Sequence, residues 1–212
     1  MNFNYKIEQL SYINKGKFSF NNYNCDVFLQ VIYVLNGYKN YEWKFIETHK
    51  EFHFHKIKPE KIKTKCNELY NKTKNLEIYQ ILITNAGRLL FEKIKNKIYI
   101  VGYDYFHILD NEKNPKQSIY NNLRYEIYNF LKNYISCEET LKFINTLRKF
   151  FSKEDFSNQI KKILKQIKNI LETNTNKNNL EEINDSLDIM INDAFKKIDE
   201  INEKKKKSNQ PN

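Results

Sequence analysis

The chain is poor in the residues that mark disulfide frameworks, tight turns and membrane segments. Its 212 residues include four glycines, three prolines, three cysteines and one tryptophan. The cysteines, at positions 25, 66 and 137, are odd in number and widely spaced, which favours reduced thiols in a cytosol over disulfides. The longest apolar stretch, residues 27–35, is far shorter than the roughly 20 residues that cross a bilayer. The sequence therefore predicts a cytoplasmic protein without a membrane segment.

Several signatures of catalysis are absent as well. The chain has no glycine-rich phosphate loop, no Gly-x-Ser-x-Gly nucleophile turn and no Cys-x-x-Cys pair. We therefore expect no cofactor, and the residues favour a non-enzymatic protein over an enzyme.

Aromatic residues and lysine dominate what is present. Hydrophobic residues make up 40% of the chain and include fifteen tyrosines and fifteen phenylalanines, which is enough for a sizeable core. The net charge is +10, and only three of the 36 basic residues are arginine. Lysine, asparagine, isoleucine, tyrosine and phenylalanine all have A/T-rich codons. The composition therefore indicates an A/T-rich genome before it indicates a basic binding surface.

Residues 23–47 predict one long β-hairpin. Apolar residues occupy alternate positions along both halves, and Asn36-Gly37 between them supplies residues that tolerate positive φ. A two-residue turn would set Leu29 beside Lys44, whereas a three-residue loop ending at Gly37 pairs Leu29 with Trp43. We predict the second register.

Around this hairpin the sequence predicts an α+β domain over residues 1–110, with a mainly antiparallel sheet and a covering helix. The helix begins at Pro59 and carries an apolar stripe at Ile62, Cys66, Leu69 and Thr73. The other predicted strands lie at residues 3–7, 18–20, 52–57, 76–84, 89–94 and 98–101.

From Asn114 onward the spacing of apolar residues changes to that of helices, and four helices are predicted over residues 111–203. Cap residues precede each helix, at Asn114, Ser136, Ser152 and Asn179. The third predicted helix, residues 156–170, is rich in lysine and the fourth in acids, which favours an antiparallel helical hairpin at the end of the bundle. The tail, residues 204–212, is basic and polar and is predicted to be disordered.

Three of the four histidines, His49, His53 and His55, lie within seven residues. His-x-His on a strand places two imidazoles on one face, which suits a metal site that Glu51, Glu60, Cys66 or His107 could complete. The pattern His53-x-His55 with Glu60 resembles the His-x-His and following glutamate of cupins, over three residues and without the glycines of that pattern. The alternative is a partly exposed strand, and we predict no bound metal.

A second set of residues suggests phosphodiester chemistry. In the predicted hairpin Asp26, Glu42 and Lys44 share the face opposite the aromatic row. An Asp followed on the next strand by Glu-x-Lys resembles the metal-binding core of the restriction-endonuclease-like nucleases, which would imply two carboxylates on Mg²⁺ and a lysine that stabilises phosphoryl charge. The alternative is an ordinary cross-strand pair of surface charges.

Basic residues interleaved with aromatics form the third candidate. A phosphate-tracking surface would use the lysines of the Pro59 helix and of the predicted hairpin at residues 89–101. These are Lys58, Lys61, Lys65, Lys72, Lys93, Lys95 and Lys97. Alternatively, their long stems cover the edges of a core.

From these features we expect a non-enzymatic protein-interaction module, an adaptor or inhibitor that docks on a larger protein or ribonucleoprotein. The partner and the oligomeric state stay open. A nucleic-acid-binding protein is the alternative and a metal-dependent nuclease the third reading. Neither short resemblance assigns a family.

Overall fold

The computed structural model describes residues 4–6, 17–19, 23, 25–84, 87–95, 97–109, 114–150, 165, 168–169, 172 and 177–208. The chain divides into two compact units, Met1–Asp110 and Asn111–Asn212.

The first unit is an α+β fold built on one five-stranded sheet. Its elements are β1 (Asn4–Lys6), α1 (Cys25–Tyr38), α2 (Trp43–Thr48), a 3₁₀ helix (Lys50–Phe52), β2 (His55–Lys56), α3 (Pro59–Lys65), α4 (Asn67–Thr73), β3 (Ile78–Leu82), β4 (Arg88–Ile94) and β5 (Lys97–Asp104). The strand order is β1-β5-β4-β3-β2. Strands β2 to β5 are antiparallel and β1 joins β5 in parallel, so the predicted fold class is confirmed.

Strands β3, β4 and β5 form the centre of the sheet, as their apolar runs predict. In the β4–β5 hairpin Arg88 lies opposite Asp104 and Ile94 opposite Lys97, with a register shift between Leu90 and Phe91. Most of the side chains of these strands are buried, including consecutive residues that point to opposite faces, so both faces of the sheet are covered. The fully buried apolar residues include Ile78, Ile81, Leu89, Leu90, Phe91 and Ile98.

The predicted hairpin at residues 23–47 is wrong, because its first strand is the helix α1 and its second strand is replaced by α2. Val27, Val31 and Leu35, spaced by four residues, are buried in α1 as on the inner face of a helix. Asn36-Gly37 lies in the last turn of α1 instead of in a hairpin loop. Leu29 and Trp43 are therefore not strand partners.

The Pro59 helix has the predicted inner face but is divided in two. Ile62, Leu69 and Thr73 are buried and Cys66 is half-buried, as the predicted stripe requires. Cys66 itself is extended, with φ −157°, and separates α3 from α4. The strand predicted before this helix is reduced to the two residues of β2.

The segment around Phe18 lies against β5. Lys17 and Phe18 form a turn where a strand was predicted over 18–20, and residue 20 lies outside the described residues. The Tyr103 backbone N–H donates to the Phe18 carbonyl at 2.9 Å. A Cβ at Gly102 would stand 2.7 Å from that carbonyl oxygen, so only glycine permits the approach.

The second unit is helical. It contains α5 (Pro115–Leu131), α6 (Cys137–Phe150) and α7 (Lys177–Ser208), and α5 contacts the other two. The predicted third helix, residues 156–170, lies outside the described residues apart from 165 and 168–169. Helix α7 includes Lys204 to Lys207, which the sequence placed in a disordered tail. Within the described ranges, no helix combines the length and apolar character needed to cross a membrane.

Candidate interaction surface

Helix α1 is anchored to the sheet through one side. Val27, Val31 and Leu35 are buried on that side. At the end of the helix the Tyr38 hydroxyl donates to the Leu82 carbonyl of β3 at 2.6 Å. Burial raises the pKa of Tyr38 to about 12, so the hydroxyl stays a donor at neutral pH. The inner face is therefore fixed by apolar burial and by one directional bond.

The opposite side of α1 faces solvent, and it carries large apolar residues beside the polar Gln30 and Asn36. Leu29 is 61% exposed, Tyr33 80% and Phe28 37%, and Ile32 beside them is half-buried. From Val27 to Tyr38 the sequence has no charged residue. We call Phe28, Leu29, Ile32 and Tyr33 the outer face of α1. Contiguous exposed apolar side chains of this kind are typical of interaction sites, whereas single ones are ordinary.

The predicted catalytic group is not assembled as the hairpin required. Asp26 lies in the first turn of α1, and its side chain is outside the described part of the chain. Glu42 precedes α2, and Lys44 lies within it. Both are exposed. The face of two adjacent strands that would bring the three residues together does not exist.

The three histidines occupy three different settings. His49 ends α2, where its Nδ1 lies 2.9 Å from the Phe45 carbonyl and its ring stacks on the Phe45 ring at 3.6 Å. His53 has a left-handed backbone with φ 45°. His55 lies in β2, with Nε2 2.9 Å from Gln80 Nε2. Among the described residues, no three His, Cys, Asp or Glu side chains are grouped as a metal site.

The predicted phosphate-binding lysines are distributed over several elements. At least two of them form ion pairs with carboxylates. Lys93 forms an ion pair with Glu47 and lies 4.5 Å above the Trp43 ring. Lys72 bonds Glu68 at 2.7 Å. The others lie at the start of α3 (Lys58), within it (Lys61, Lys65), at the β4–β5 turn (Lys95) and at the start of β5 (Lys97).

We predict weak binding of generic DNA or RNA. Lys72 and Lys93 are neutralised locally, so few charges act together on one phosphate backbone, and counterion release supplies little free energy. Fluorescence anisotropy at about 0.15 M salt should give a dissociation constant weaker than about 10 μM. A submicromolar constant, abolished when Lys61, Lys65, Lys93 and Lys97 are changed to glutamine with the fold intact, would contradict this prediction.

A buried carboxylate closes the turn after β5. Asp104 Oδ1 accepts from the Ile108 N–H at 2.8 Å, and Oδ2 accepts from the Leu109 N–H at 2.9 Å. Burial raises the pKa of Asp104 to about 6, although these two bonds and the charges of Lys17 and Arg88 act in the opposite direction. Asp104 thus has a structural role, because both oxygens bind the backbone.

The outer face of α1 was missed by the sequence reasoning, although a signal for it exists. The stretch 27–38 is free of charge and carries more apolar residues than one buried face of a helix needs. A surplus of that kind marks either a fully buried element or an exposed apolar surface.

Comparison with protein-family models, curated protein sequences and solved structures finds no match to the chain.

Proposed function

We propose that the chain is a non-enzymatic protein-interaction module, an adaptor or inhibitor, which docks on a larger protein or ribonucleoprotein through the outer face of α1. The observation that carries the proposal is the exposure of Leu29 and Tyr33 beside Phe28, on a helix that has no charged residue after its first turn. Large apolar and aromatic side chains at the centre of an interface supply most of its binding free energy.

The inner face of α1 supports this role by making the helix a rigid platform. Val31 and Leu35 are completely buried, and Tyr38 is bonded to β3. A partner would therefore meet a helix backbone that is already ordered, and the entropy lost on binding would be mainly that of the exposed side chains.

We place this role in the cytoplasm. The widely spaced cysteines favour a reducing compartment, and Cys66 is a free, half-buried thiol.

Affinity capture from the native host tests the docking surface. The bait is the full chain, compared with a Leu29→Gln, Tyr33→Gln variant, and each capture is repeated after nuclease treatment. We expect a protein that the wild type retains after nuclease treatment and that the variant retains at least tenfold less, because its apolar anchors are gone.

Ile189→Gln is the matched control, since Ile189 of α7 is 63% exposed and lies outside α1. It should capture the partner as the wild type does. Equal capture by the α1 variant, or capture that nuclease abolishes, would contradict docking through α1.

A further inference from the structure

The outer side of α1 carries a spacing that is symmetric about one residue. Leu29, Tyr33 and Gly37 follow each other at intervals of four, so they form one ridge of the helix surface. Leu29 and Tyr33 project into solvent, and Gly37 is exposed. A Cβ placed on Gly37 would meet nothing within 4 Å, so nothing described inside the unit requires glycine there.

This spacing is self-complementary. If two α1 helices pack antiparallel about a two-fold axis at Tyr33, Leu29 of each copy lies opposite Gly37 of the other. The two contacts are related by the axis. The leucine fills the space that the missing side chain leaves, while the two Tyr33 side chains meet at the axis.

The charges at the two ends of α1 favour the same arrangement. Asp26 lies in the first turn of α1 and Lys39 follows its last residue, with no charge between Val27 and Tyr38. An antiparallel pair sets the acidic end of each helix against the basic end of the other. It also keeps the lysines of two chains of net charge +10 out of the contact, apart from those paired ends. A strongly acidic or basic partner would find no matching charges on the outer face itself.

We propose that the outer face of α1 joins two copies of this chain in an antiparallel pair centred on Tyr33. The inference rests on the proposed function, since both use the same face, and it adds that a docking partner must displace the second copy. One helix of 14 residues buries less than a standard interface. The dimer is therefore weak, with a dissociation constant in the range of roughly 1–100 μM.

Sedimentation equilibrium of the full chain from about 1 to about 300 μM tests the pair without any partner, across that range of constants. We expect a monomer–dimer equilibrium that Gly37→Leu weakens at least tenfold, because the new side chain fills the gap that receives Leu29. The helix itself should tolerate the change, since leucine is a better helix former than glycine. Ile189→Gln should leave the equilibrium unchanged. Circular dichroism verifies the fold, and Leu29→Gln serves as the second variant if Gly37→Leu misfolds.

Disulfide trapping tests the position of the axis. Tyr33→Cys places identical residues across the two-fold axis, so mild oxidation should produce covalent dimers at least tenfold faster than for Ile189→Cys or wild type. A chain that is monomeric throughout overturns the proposal, as does a dimer that Gly37→Leu leaves unchanged. A monomer that still captures a partner through Leu29 and Tyr33 overturns only the pair. A Gly37-dependent dimer without any captured partner overturns only the docking function.

Discussion

Replacing Trp43 with alanine is expected to lower the free energy of unfolding by about 3 to 5 kcal/mol. Trp43 is only 5% exposed at the start of α2, and its ring meets Phe54 edge to face at 6.1 Å. Lys93 lies above the same ring while it pairs with Glu47. The substitution therefore leaves a cavity and removes the apolar support of an ion pair.

Urea denaturation followed by circular dichroism measures this loss, because Trp43 is the sole tryptophan and its fluorescence disappears with it. Tyr33→Ala is the matched control, an aromatic residue of the same unit that is 80% exposed. It should change the free energy of unfolding by less than about 0.5 kcal/mol. A loss below about 1 kcal/mol for Trp43→Ala would contradict its place in the core.

The second large effect is a dependence of stability on pH that comes from Asp104. Its pKa is 3.8 in the unfolded chain and about 6 in the folded one, because burial disfavours the charged form. Between these values the folded state holds a proton that the unfolded state has lost. The stabilisation by protonated Asp104 is thus fully present below pH 3.8 and is lost as the pH rises through about 6. Over the whole pH range, this stabilisation amounts to about 3 kcal/mol of unfolding free energy.

The variant Asp104→Asn isolates this contribution, since its amide does not titrate whereas all other carboxylates do. Asparagine keeps one acceptor oxygen for the Ile108 and Leu109 N–H groups. At pH 4 we expect the wild type to be more stable than the variant, and by pH 7 this advantage should have fallen by about 2 kcal/mol. Denaturation curves at intervals of half a pH unit measure the difference. A difference that does not change with pH would refute the raised pKa.

The starts of α5 and α6 were predictable because a few neighbouring residues determine them, whereas α7 begins at Lys177 and not after the predicted cap Asn179. Asn114 accepts from the Gln117 N–H at 3.2 Å, with Pro115 at the first helical position, as predicted. Ser136 accepts from the Glu139 N–H at 3.2 Å, and its hydroxyl donates to the Glu139 carboxylate at 2.8 Å, so the cap is formed by these two residues alone. No contact from distant parts of the chain is needed to form these caps.

The first helix was mistaken for a strand because both of its faces carry apolar residues. A helix is recognised by a polar side that alternates with an apolar one, and on α1 the apolar Leu29 and Tyr33 interrupt the exposed polar side. Leu29 and Tyr33, exposed in the structure, therefore continued an apparent alternation with the buried Val27 and Val31. The feature that concealed the helix is the same one that makes it a docking candidate.

The predicted sites depended on that error or on proximity along the chain. Asp26, Glu42 and Lys44 share a face only if residues 23–47 form a hairpin. The clustered histidines are separated because the 3₁₀ helix lies between His49 and His53, and His53 itself has a left-handed backbone. Arginine offered a better signal. In a chain that covers its surface with lysine, Arg88 and Arg124 are both buried. Arginine, although rare in this chain, suits an interior position because its planar guanidinium presents several donors in a fixed geometry.

The parallel pairing of β1 with β5 imposes an order of assembly on the first unit. Asn4 is matched to Lys97, so nearly the entire unit separates the two paired residues. Forming such a contact costs a large loop-closure entropy, because a long loop must close. The contact therefore forms late, after local hairpins such as β4–β5. On the ribosome, β1 therefore emerges long before its partner strand exists, and it waits unpaired until residues 97–99 have been synthesised. Slow decoding between these two strands would lengthen the period in which an open sheet edge is exposed to aggregation.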